Sequence, residues 1–114
     1  MNSYRIVNLE AGMPTVADAM TALNREIRLA KRHGLAAVKL IHGFGSTGKG
    51  GKIRVAARRE LESLAKRGYV KAVIPGETLS IFDEATRRAL VRCPDLRRDP
   101  DLERHNNGVT IVLL

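Results

Sequence analysis

Cysteine is almost absent. Cys93 stands alone, so no disulfide can close within the chain, and a reducing, cytoplasmic setting is expected. Three scattered histidines beside that single thiol give no metal-ligand spacing, and no metal is expected. Tryptophan is missing, and two phenylalanines and two tyrosines are too few for a platform that stacks several bases at once. No apolar run approaches the roughly 20 residues that a membrane-spanning helix needs, and Met1 to Asn8 lacks the apolar core of a signal peptide. Repeats and low-complexity tracts are missing too. Acid is also in short supply: 12 Asp and Glu face 20 Lys and Arg, a formal charge of +8. Such an excess favours nucleic acid or another polyanion as partner, because net charge steers association.

What remains reads as one compact α/β domain over residues 1–114. Arg5 to Leu9 is a short strand candidate, followed by a turn from Glu10 to Pro14. Thr15, with Asp18 three residues on, has the pattern of a helix N-cap. Val16, Met20, Leu23, Ile27 and Ala30 then recur at helical spacing, and Gly34 ends the helix. Ala36 to Ile41 is a nearly continuous apolar run, as in a strand buried on both faces.

Lys52 to Arg67 repeats the helical period. Ile53, Ala57, Leu61 and Leu64 face inward, and Arg58, Arg59, Glu62 and Lys66 are expected in solvent. Tyr69 to Ile74 reads as a third strand stopped by Pro75-Gly76. Strand–helix–strand–helix–strand implies right-handed crossovers between parallel strands, with both helices on one sheet face.

Ser80 with Asp83 is expected to start another helix, with Phe82, Ala85, Ala89 and Cys93 as its apolar stripe. Asp95 to Gly108 is charged and loop-like. Val109 to Leu114 closes the chain without a single charge. Edge strands usually carry a lysine or proline against sticking, so this last strand belongs inside the sheet.

The densest signal lies between the second strand and the second helix. Five of the nine residues from Gly43 to Gly51 are glycine. Glycine loses more chain entropy on ordering than any other residue. It also lets backbone N–H groups approach a ligand, most often a phosphate. The loop leads into a helix N-terminus, where orphan N–H groups favour anions. Lys49, Lys52 and Arg54 add positive charge. The predicted phosphate-binding set is therefore Gly43, Phe44, Gly45, Ser46, Thr47, Gly48, Lys49, Gly50, Gly51, Lys52 and Arg54, with His42 at its entrance.

Two nucleotide motifs fit the loop superficially. Gly43 to Gly48 matches G-x-G-x-x-G. However, Lys49-Gly50-Gly51 then follows where a helix should already run, and no acid ends the next strand. Gly43 to Lys49 matches G-x-x-x-x-G-K, but Gly50 stands where a P-loop needs the Ser or Thr that holds magnesium.

A third pattern fits better. His42-Gly43-Phe44-Gly45-Ser46-Thr47-Gly48-Lys49-Gly50-Gly51-Lys52-Ile53-Arg54 resembles the H-G-x-G-x-G-x-L-R signature of the Smr (small MutS-related) domain. Val38 to Ile41 is similar to that family's preceding strand. Asn107 to Leu114 is similar to its final G-x-T-x-V-x-L strand, and Thr15 to Ala19 to its T-V-x-E-A helix start. The resemblance implies a two-layer sandwich, βαβαββ, with a four-stranded mixed sheet and two main helices. It is a fold related to the C-terminal domain of translation initiation factor three. Its last strand runs antiparallel inside the sheet.

The chain departs from the family twice. Val7-Asn8-Leu9-Glu10-Ala11 stands where the family has L-D-L-H-G, so an aspartate becomes Asn8 and a histidine Glu10. Residues 77–106 form a helical and loop insertion before the last strand, rich in arginine, and the whole looks most like the stand-alone bacterial branch.

The resemblance further implies nucleic-acid binding, DNA or RNA, and endonuclease activity, with no small-molecule cofactor and no membrane partner. His42 would be the catalytic or phosphate-contacting imidazole, with Glu10 standing in for the missing first-strand residues. Alternatively, the ring of His42 orients the loop, and the chain is a non-catalytic binding module in RNA- or ribosome-associated complexes.

Overall fold

The computed structural model describes residues 3–44 and 49–114, and for Lys49 and Gly50 it describes the backbone alone. The predicted site residues Gly45, Ser46, Thr47 and Gly48 therefore fall outside it as well.

Four strands form one sheet: β1 (Tyr4–Asn8), β2 (Ala37–Ile41), β3 (Ala72–Pro75) and β4 (Val109–Leu113). Their order is β1-β2-β4-β3, with β1 parallel to β2 and β4 antiparallel to both neighbours. The uncharged terminal strand thus sits inside the sheet, as its composition predicts, and all five of its residues are buried. Helices α1 (Val16–Arg32) and α2 (Lys49–Lys66) join the parallel strands. Thr15 caps α1 by accepting a hydrogen bond from the Asp18 amide at 3.0 Å. Both helices cover one face, where Leu23, Ile27, Ala57 and Leu61 close over Val38, Leu40 and Val112.

The insertion covers the other face. It contains a 3₁₀ turn at Gly76–Thr78, helix α3 (Glu84–Arg92) and a second 3₁₀ segment at Pro94–Arg98. Leu79, Ala89, Leu90, Cys93 and Leu96 pack there on Ala37, Ile74, Ile111 and Leu113. The two-layer α/β sandwich thus gains a smaller, separate core on the face its main helices leave open.

Several boundaries differ from the sequence expectation. Helix α2 begins at Lys49 rather than Lys52, so Gly50 and Gly51 lie inside its first turn despite their poor propensity. Strand β3 starts at Ala72, because Tyr69 N–H still bonds back to Leu64 O at 2.9 Å. The N-cap of α3 is Asp83, which accepts from the Thr86 amide; Ser80 lies one turn earlier. Phe82 is 85% exposed and belongs to no core stripe, and Thr86 and Leu90 take the inward positions instead.

One ionic cluster ties the insertion to the sheet. Period-two alternation along β2 sends Val38 and Leu40 toward the main helices and Lys39 to the opposite face. There the Lys39 ammonium, 3% exposed, meets Asp99 Oδ1 at 2.8 Å and also pairs with Asp101. Tyr4 O–H donates to Asp99 Oδ2 at 2.7 Å, and Asn106 donates to Asp101. Burial alone would discharge the lysine, but its bonds to Asp101 and Asp99 outweigh that and hold its pKa above the ordinary value. Burial together with the Asp99 bond likewise pushes the Tyr4 phenol up.

Breaking this cluster from one side leaves a buried carboxylate without its counter-ion. Lys39→Ala is expected to destabilise the fold by about 3–5 kcal/mol in urea unfolding. Lys39→Met combined with Asp99→Leu should recover only part of that loss, because a buried pair can be replaced by apolar groups at little cost but Asp101 and the Tyr4 hydroxyl each lose a partner.

Candidate functional site

The same alternation that sends Lys39 one way sends His42 the other. Counting on from Val38 and Leu40, the histidine falls on the face of α2, just past the end of β2. It is fully buried. Its backbone N–H and that of Gly43 both donate to Gly108 O, each at 3.0 Å, so the end of β2 is sewn to the start of β4.

The ring is held at both nitrogens. Nδ1 lies 2.8 Å from Gly43 O, and Nε2 lies 2.8 Å from Thr110 Oγ1. A carbonyl only accepts, so Nδ1 carries the hydrogen. In the neutral ring Nε2 is then the acceptor, and it takes the Thr110 hydroxyl hydrogen. Arg58 Nε donates to the same hydroxyl oxygen at 3.3 Å. The Arg58 guanidinium also forms a fork on Glu77, at 2.8 and 2.7 Å, and reaches the carbonyls of Asn107 and Val109. A continuous chain therefore runs from Gly43 O through His42, Thr110 and Arg58 to Glu77.

The electrostatics follow. Burial depresses the pKa of His42, and the positive charges of Arg58 and Arg54 depress it further, against the opposing bond to Gly43 O. The bond from Arg58 lowers the pKa of Glu77 and keeps that carboxylate charged. The lowered pKa favours the neutral ring, whose one lone pair is already used by the Thr110 hydroxyl.

The turn after the histidine favours glycine through its backbone conformation, and the space beside it is taken by a side chain. Gly43 has φ of +74°, and a Cβ there would run into the Glu10 carboxylate, its Cδ at 2.7 Å. The predicted partnership of Glu10 with the loop is thus a direct contact: the side chain leaves the β1–α1 turn and lies against Gly43. Asn8, the other departure from the family pattern, accepts a hydrogen bond from the Glu10 amide at 2.9 Å and shapes that turn. Phe44 is 53% exposed and leans over Gly108. Gly76 allows a second close approach: a Cβ there would strike Asn106 O, so only glycine lets the segment bearing Glu77 pass beside β4.

Lys52, Arg54 and Arg59 lie along the first turns of α2. Ion pairs among the described residues engage Arg5, Arg25, Lys39, Arg58 and Arg88, and these three belong to none of them. Lys52 and Arg59 are exposed and Arg54 is half-buried. Among the described residues no group of His, Cys, Asp and Glu is placed to hold a metal ion, and no helix is long and apolar enough to cross a membrane.

Arg58, Thr110 and Glu77 complete the network around His42; the helical pattern expects Arg58 in solvent, and the structure instead pairs it with Glu77 and Thr110. Thr110 carried the only usable signal, as the one hydroxyl in an otherwise apolar last strand.

A histidine kept neutral by its fold makes stability pH-dependent. Between its lowered folded pKa and the ordinary value near 6.5, the unfolded chain binds the extra proton, so stability rises with pH and is lost as pH falls. Unfolding free energy measured from pH 7.5 down to 5 should fall below about pH 6.5, and His42→Asn should flatten that fall.

No protein-family model matches the chain, and no curated protein matches it. Among solved structures, the crystal structure of the Smr domain of Thermus thermophilus MutS2 matches with a TM-score of 0.56 and 21% sequence identity. The match covers 98% of this chain and 96% of that one. Over nearly its whole length, the chain therefore has the fold of an Smr domain, the family that its spaced motifs resemble.

Proposed function

We propose that this chain binds nucleic acid at the glycine turn and acts as a binding module rather than a nuclease. The observation that carries the binding is the set of cations Lys52, Arg54 and Arg59 in the first half of α2, which belong to no ion pair among the described residues. A polyanion would supply these cations with more negative charge than the nearby carboxylates of Glu10 and Glu77 provide. The Smr likeness, in fold and in motif, supports the same reading.

The observation against cleavage is the setting of His42. A general base needs a free lone pair within reach of the proton it removes. Here the ring is buried and its lone pair is filled by Thr110. On this reading His42 is a pin that fixes the Gly43 carbonyl and aims the loop. Cleavage would instead fall to Glu10, the carboxylate against Gly43.

The test uses labelled single-stranded RNA, duplex DNA and supercoiled plasmid, each with and without chelator. Binding without cleavage is expected, with a logarithmic salt slope of about −3 to −4 if about four phosphates are neutralised. A salt-independent affinity would end the electrostatic reading. Lys52→Ala should lower the slope by about 1.

Glu10→Gln separates the two roles. Removing one negative charge from a binding surface should tighten binding about twofold to fivefold. If wild type cleaves and Glu10→Gln does not, the chain is an enzyme and the module reading fails.

A further inference from the structure

Beside the cations lies a feature that charge does not explain. The turn before α1 and the start of α2 enclose a slot of about 200 Å³, lined by Met13, Pro14, Thr15, Val16, Lys52 and Ile53. Apart from Lys52 and the Thr15 hydroxyl, its lining is apolar. Val16 and Lys52 also border a wider, shallower hollow whose other walls include Arg54, Val55 and Arg59. The slot thus shares a wall, Val16 and Lys52, with the hollow that holds these cations.

Met13 is the odd residue. Its side chain is 77% exposed, at a φ of +50° that turns it outward from the chain. Its amide is tied to Glu10 O at 3.0 Å, which fixes that turn in place. A large apolar side chain held in solvent at the rim of an apolar slot contributes nothing to the core. A polarizable thioether is, however, a good partner for the edge or face of an aromatic ring.

Resting on the nucleic-acid reading above, we propose that this slot takes one unpaired nucleobase, so that the ligand is a single strand rather than a duplex. The volume suits a single ring system, since pockets for drug-sized ligands begin at about 300 Å³. Met13 and Pro14 provide the apolar surface for the flat heterocycle. Lys52 stands where the base joins its charged backbone, and Arg54 and Arg59 lie along the next stretch of phosphates. In a duplex the base is buried in the stack, and unpairing it would take several kcal/mol. A single strand presents it free. One slot without an aromatic wall reads one base and gives weak sequence preference.

The experiment is fluorescence anisotropy with a labelled single strand, the same strand carrying abasic positions, and the matching duplex, each over a salt series. The intact strand should bind about fivefold to tenfold tighter than the abasic strand, at nearly equal salt slopes. It should also bind tighter than the duplex. Met13→Gly, which suits the left-handed φ and removes the thioether, should narrow the gap between intact and abasic strands. Equal affinity of intact and abasic strands, with the salt slope retained, would overturn the base slot and leave the phosphate reading standing. Tighter binding of the duplex would overturn it too. If no oligomer binds in a salt-dependent way, the proposed function fails and this inference fails with it.

Discussion

Between β2 and β4 the imidazole of His42 bridges a backbone carbonyl and a threonine hydroxyl, and most of the site's geometry follows from those two bonds. The Gly43 carbonyl cannot turn away without stranding a buried N–H, a loss of about 1–3 kcal/mol. The left-handed φ at Gly43 is thereby held, and so is the direction in which the chain leaves the sheet. Thr110 donates its hydroxyl hydrogen to His42 and accepts from Arg58, and Arg58 is held in turn by Glu77. Each hydrogen in the chain has one direction that satisfies every member. A network of that kind fixes one arrangement more firmly than apolar packing would.

The two faces of the sheet use charge differently. On the insertion side, Lys39 is neutralised by Asp99 and Asp101 and works as a rivet through an otherwise apolar layer. On the main-helix side, Arg58 is neutralised by Glu77, and that carboxylate comes from the insertion as well. The insertion thus supplies the counter-charge for both interior cations, although its own core lies on one face only. This is a physical reason for acids to be scattered among its arginines. Asp99, Asp101 and Glu77 have partners in the sheet or in α2, so a reading of the segment as an isolated charged loop misses what three of its carboxylates do.

Much of the fold was legible from periodicity. The helical spacing of Val16 to Ala30 and of Ile53 to Leu64, the apolar β2 run and the uncharged β4 each identify their element and its place. The Gly50-Gly51 pair misled, because local propensity argues against a helix that the rest of α2 carries through. Phe82 misled for the opposite reason: its position suits the stripe, but Asp83 starts the helix one turn later than Ser80 would. The candidate site was legible only in part. His42, Gly43 and Glu10 follow from the motif and its departures, and they do meet. Arg58 and Glu77 lie 19 residues apart and Thr110 another 33 beyond. Nothing local links them, since their association is created by the antiparallel entry of β4 between β2 and β3.

A formal charge of +8 attracts a polyanion to the whole molecule, and long-range attraction carries no orientation. Arginines stand on α1, α2, α3 and the segment after it, so charge alone would let a nucleic acid settle on several faces. Position must come from short-range features, and the proposed site has two of them. In the proposed complex Glu10 would repel a phosphate placed against Gly43, and the slot at Met13 and Pro14 breaks the uniformity of the cationic surface. Phosphate contacts supply affinity, and contacts with bases supply register. The Glu10 carboxylate therefore matters for more than its possible chemistry. On the proposed reading, denying the backbone its deepest position against Gly43 would displace the strand toward Lys52, which also lines the apolar slot.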